Sequence, residues 1–159
     1  MALYPVPTDI ATEVRARLPD KLRRPGQRPS WAGANGPGRA IDSLLEGPAF
    51  DRHGNLYVVN LPYGEILRVS PQGEFAVVAQ IDGWPNELKI HRDGTLDVAD
   101  YKRGILKIDP HSGAVETLVD HRWSEGFRGC NDLFFANNGD LYFTAPRYLA
   151  ASPNRPATD

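Results

Sequence analysis

The sequence predicts an all-β fold of repeated four-stranded sheets, and three observations predict it. Near-identical phrases recur as EGPAFDRHGNLYVVN at 46–60, NELKIHRDGTLDVAD at 86–100 and NDLFFANNGDLYFTA at 131–145. Each holds a two-residue turn, His53-Gly54, Asp93-Gly94 or Asn138-Gly139, followed two residues on by Leu56, Leu96 or Leu141. The later strands repeat as well, with EILRVS at 65–70 answering GILKID at 104–109 and EFAVVAQ at 74–80 answering AVETLVDH at 114–121. Four short antiparallel strands in about 40 residues are the blade unit of a β-propeller, in which sheets pack face to face around a channel. The strand LYVVN carries apolar residues on both faces, as a sheet between two neighbours requires.

Taken in order, residues 8–24 place Ile10, Val14, Leu18 and Leu22 at four-residue steps, which predicts a short N-terminal amphipathic helix, capped by Thr8 or Asp9 and ended or kinked at Pro19. The basic residues between Arg15 and Arg28 read as a solvated face rather than an anion-binding patch, because Glu13 and Asp20 interrupt them and no aromatics interleave. Residues 25–40, PGQRPSWAGANGPGRA, predict an irregular connector anchored by Trp31. The organisation expected is therefore helix and connector over 1–43, then blades at 44–81, 82–122 and 123–145. That is about two and a half blades. Residues 146–159 lack alternation and contain three prolines, so they read as an irregular tail outside the propeller pattern, from a truncated or frameshifted end or an insertion.

Composition narrows the function. With 18 Lys and Arg against 20 Asp and Glu, and no apolar run near the roughly 18 residues of a membrane span, neither nucleic acid nor membrane is an expected partner. MALYPVPTDIATEVRARLPDK turns polar and then basic, so it does not read as a signal peptide, and with a single cysteine a cytoplasmic location is the default expectation. His53, His91 and His111 fall in turns and His121 after a fourth strand, away from the channel. No G-x-S-x-G elbow or phosphate-binding glycine loop occurs. Cys130 reads as a buried small residue rather than a nucleophile.

The first strand of each blade lines the channel, and Glu46, Asn86 and Asn131 open those strands at equivalent positions. One carboxylate and two amide carbonyls suit a hard divalent cation, Ca²⁺ before zinc, although such an ion takes six to eight oxygens. For Asn86 a structural role beside the Trp84-Pro85 turn is the stronger reading.

The segments LLEGPAFDRHGNLYVVN, GWPNELKIHRDG and CNDLFFANNGDLYFT resemble the gluconolactonase and regucalcin-like family, over residues 44 to about 144. The resemblance implies a six-bladed propeller, a divalent metal in the channel and hydrolysis of lactones as small-molecule substrates. It carries metal ligation onto Glu46 and Asn131, and places Asn86, Asp132 and Arg128 at the substrate. The family's further Asn and its Asp, the expected general base, come from later blades, so no catalytic residue is assigned among these 159. After YFT the family usually has an acidic residue, where this chain has Ala145. The resemblance therefore implies a metal-dependent lactonase in incomplete form, with a homo-oligomer that completes the ring as one resolution. A non-catalytic propeller fragment for binding or assembly is the alternative.

Overall fold

The computed structural model describes residues 7–35 and 39–146. Strands β1 (Leu45–Phe50), β2 (Leu56–Asn60), β3 (Glu65–Val69) and β4 (Phe75–Gln80) form one antiparallel meander, and β5 (Pro85–Ile90), β6 (Leu96–Asp100), β7 (Gly104–Ile108) and β8 (Val115–Val119) form a second. A small ribbon, β9 (His121–Arg122) with β10 (Glu125–Gly126), leads to the hairpin of β11 (Leu133–Phe135) and β12 (Leu141–Phe143). This is β-propeller architecture: two four-stranded blades and the inner hairpin of a third. The 146–159 tail lies outside the described residues except for Pro146. No helix among the described residues is long and apolar enough to cross a membrane.

The repeated turns explain the repeated sheets. Gly54, Gly94 and Gly139 donate to the carbonyls of Asp51, His91 and Ala136 at 3.1, 2.9 and 2.9 Å, with φ of 80, 92 and 93°. Such positive φ suits glycine, and the same dipeptide position sets the same hairpin three times.

Between the two full sheets, Tyr57, Val59, Ile66, Ala79 and Ile81 meet Leu88, Leu96, Val98, Leu106 and Ile108 in one buried cluster. Each larger aliphatic side chain there contributes about 1.5–3 kcal/mol of transfer free energy. A second cluster, Ala99, Ile105, Cys130 and Leu133 with Phe127 and Phe143 against it, joins the second sheet to the third repeat. By strand alternation Val58, Leu67 and Val69 point to the opposite face of the first sheet, and they too are buried. The N-terminal stretch crosses this side, touching the sheet where Arg15 Nη2 donates to Pro71 O at 3.0 Å and where Arg24 pairs with Glu65.

That stretch corrects one expectation. No helix forms over 8–24: residues 7–19 have no regular structure and a single 3₁₀ turn occupies Asp20–Leu22. The apolar period needs a surface to face, and Ile10 is 84% exposed with Val14 exposed beside it. The helix that does form, α1 (Ser30–Asn35), lies in the connector read as irregular and packs against the Leu61–Tyr63 turn through buried Ala32. Trp31 is only half-buried.

Candidate functional site

Glu46 stands on β1 next to the start of β5. An added Cβ on Gly47 would lie 2.8 Å from Leu88 N and 3.1 Å from Glu87 Cα, so the two channel strands touch along their backbones at this point. Only glycine permits the approach, and its φ is 59°.

The hydrogen-bond ladder puts different residues in register from those that counting places together. Glu46 pairs with Val59 and Glu87 pairs with Ala99, and Val59 and Ala99 both lie three residues beyond the repeat leucine. In the third repeat the equivalent residue is Thr144, whose N–H donates to Asp132 O at 3.0 Å while Asn131 N–H donates to Thr144 O at 3.0 Å. Counted back from the turn, Glu87 and Asp132 reach this rung without irregularity, whereas β1 carries a β-bulge between Glu46 and Ala49, and that extra residue puts Glu46 rather than Gly47 on it. The common rung is therefore Glu46, Glu87 and Asp132.

Electrostatics agrees with that placement. The Glu46 carboxyl is pushed above its ordinary range by burial first, then by the negative charges of Glu87 and Asp132. Glu87 in turn accepts from Lys89 Nζ at 2.5 Å and from Leu88 N at 3.1 Å.

Asn86 commits its amide nitrogen to Trp84 O at 3.2 Å and Cys130 O at 3.3 Å, tying the second repeat to the third. Asn131 is half-buried beside exposed Asp132, whose N–H donates to Thr144 Oγ1 at 3.1 Å, and Arg128 is exposed in the loop ahead of them. Cys130 is fully buried and its thiol is pushed up to about 11, by burial and then by Asp100, so it is held as the thiol. Glu87 is the residue the sequence reading passed over. Its signal was the Asn-acid pair, Asn86-Glu87 and Asn131-Asp132, in two repeats.

All of these donors are oxygens, which is the chemistry a hard cation takes. Among the described residues no three His, Cys, Asp or Glu side chains gather closely enough to ligate one ion. The donor type fits a divalent cation, and the donor number falls short of a complete shell.

The strand ends above the channel are tied in a repeat-specific way. Asn60 Oδ1 accepts from Leu44 N at 3.2 Å, and its equivalent Asp100 accepts from Lys102 N and Arg103 N, each at 2.9 Å. Ala145 holds the same place in the third repeat and has no side chain with which to make that tie.

Comparison with known proteins agrees with this architecture. No family model matches the chain. A gluconolactonase of Zymomonas mobilis subsp. mobilis is 30% identical across 65% of this chain and 33% of its own length. Diisopropyl-fluorophosphatase of Loligo vulgaris is 36% identical across 64% of this chain and 37% of its own, and lactonase drp35 of Staphylococcus aureus is 28% identical across 69% and 35%. The chain thus spans about a third of the length of these curated relatives. Among solved structures, a gluconolactonase from Xanthomonas campestris superposes with a TM-score of 0.62 at 23% identity, over 67% of this chain and 36% of that one. Virginiamycin B lyase from Staphylococcus aureus does so at 0.56 and 16%, over 67% and 36%. In sequence and in fold the chain resembles the gluconolactonase-type propeller proteins over about two thirds of its own length.

Proposed function

We propose that this chain contributes to a lactone-hydrolysing site of the gluconolactonase type, in which Glu46 and Asn131 hold a divalent cation, Ca²⁺ by donor chemistry, at the channel. The observation that carries the reading is the placement of Glu46, Glu87 and Asp132 at equivalent rungs of successive repeats in a chain similar to gluconolactonase and lactonase proteins. When bound, the cation supplies polarisation of the ester carbonyl and offsets charge on its oxygen. Glu46 supplies the anionic ligand, and Asn131 a neutral carbonyl oxygen. Asp132 and Arg128, exposed beside them, present an acceptor and a fork of donors to the hydroxyls of a sugar-type lactone. A proton on Glu46 competes with a cation, so retention of the metal weakens as pH falls through the raised carboxyl range. The carboxylate that activates water is not among the residues assigned here. It is contributed by further blades, either of a longer chain or of a second copy completing the ring.

Lactone hydrolysis measured with added calcium and with chelator tests the reading. The 159-residue chain alone is expected to show little or no turnover, and a form supplied with the remaining blades is expected to show chelator-sensitive turnover that Glu46→Gln abolishes. Chelator-insensitive turnover in that completed form, or turnover indifferent to Glu46→Gln, would refute the metal assignment.

A further inference from the structure

We propose that Glu87 and Lys89 together set the charge of the channel site, Glu87 drawing a cation toward Glu46 and Asn131 through space and Lys89 holding that attraction in check. The inference rests on the reading of Glu46 and Asn131 as cation ligands. It differs from that reading in assigning the second blade's contribution to Glu87 rather than to Asn86, and in making it a matter of field rather than of coordination.

Three observations converge on it. The ladder places Glu87 opposite Ala99 as it places Glu46 opposite Val59, so the two carboxylates leave equivalent rungs of adjacent channel strands. Gly47 brings those strands into backbone contact, an added Cβ there lying only 3.1 Å from Glu87 Cα. Asn86, the residue that simple counting places on the ring, has its amide nitrogen turned to the carbonyls of Trp84 and Cys130. Among the described residues no three His, Cys, Asp or Glu side chains gather to ligating distance, so the role assigned to Glu87 is one through space rather than in the ligand shell. Lys89, two residues on along the same face of β5, bonds Glu87 Oε1 at 2.5 Å, so the pair presents a near-neutral group to the channel.

Opposite signs follow for the two partners, which a purely structural ion pair would not give. Terbium(III) binding to the purified 159-residue chain, followed by luminescence and by calorimetric titration of Ca²⁺, supplies the readout, with thermal melts in chelator to establish folding. Glu87→Gln leaves the ammonium uncompensated and is expected to weaken binding about three- to tenfold, while Lys89→Met frees the carboxylate and is expected to tighten it by a similar factor. Glu87→Gln with Lys89→Met returns close to the parent affinity, and Glu87→Asp retains it. Equal effects of the same sign from both single variants, or none from either while Glu46→Gln abolishes binding, would overturn the assignment of Glu87 alone. No ion binding by the parent chain would overturn this inference, whereas chelator-insensitive turnover in the form completed with the remaining blades would overturn the cation reading beneath it.

Discussion

Arg24 reaches across 41 residues of sequence to the buried carboxylate of Glu65, and Asn60 Nδ2 donates to the other carboxylate oxygen at 2.8 Å. Glu65 is 2% exposed, so its charge depends on these two partners. Arg24→Ala is expected to cost roughly 3–5 kcal/mol in urea denaturation, because it strands a buried anion rather than merely deleting a contact. Adding Glu65→Gln should return much of that loss. If the double variant is no more stable than the single, the pair is not what holds the N-terminal stretch.

Replacing Glu46 by glutamine should raise the metal-free melting temperature slightly at neutral pH, by about 1–3 °C, a small effect because the group is only half-buried and solvent screens its charge. The sign follows from the raised carboxyl. Its folded-state value lies above the unfolded one, so its stabilising contribution is present below the unfolded value and is lost as pH rises through the folded value. Melts at neutral and at acidic pH should show the gain at the former only. A lower melting temperature for the variant at neutral pH would contradict the crowding of carboxylates around Glu46.

Gly47→Ala should be disproportionately harmful for a single added methyl group. The carbon would sit 2.8 Å from Leu88 N, against backbone that cannot rotate away, at a φ of 59°. A loss of about 1–3 kcal/mol is expected, measurable by denaturation. A change within a few tenths of a kcal/mol would mean that β1 and β5 are free to separate there.

Phe134 and Tyr142 are cross-strand partners on the outer face of the last hairpin, 65% and 62% exposed. They should drive concentration-dependent self-association. Sedimentation of Phe134→Ser with Tyr142→Ser should show a monomer at concentrations where the parent associates. Unchanged association would place the contact elsewhere.

Much of the fold was legible because it is written in local chemistry. The glycines at 54, 94 and 139 fix the hairpins, and the leucines two residues on fix which face is buried, so blade and register follow from short windows. The N-terminal helix failed for the complementary reason: Ile10 and Val14 carry the helical period but meet no partner, whereas Ala32 in the connector meets the Leu61–Tyr63 turn. The register of the candidate site was not legible in the same way. Counting from the turns aligns Glu46 with Asn86 and Asn131, but a β-bulge between Glu46 and Ala49 adds a residue to β1, so the hydrogen-bond ladder aligns Glu46 with Glu87 and Asp132 instead. Bulges belong to the hydrogen-bond ladder, and nothing in side-chain periodicity announces them.

The N-terminal stretch, tied to the first sheet through Arg15 and Arg24, limits stoichiometry. Among the described residues, one side of the stack of sheets is crossed by the chain's own N-terminal stretch, while Phe134 and Tyr142 on the other are exposed. A body with two adhesive sides polymerises head to tail, but a body with one has a valence of one. Association through that side alone is expected to stop at the pair, and a ring closed by two copies would require the N-terminal stretch to leave the other side.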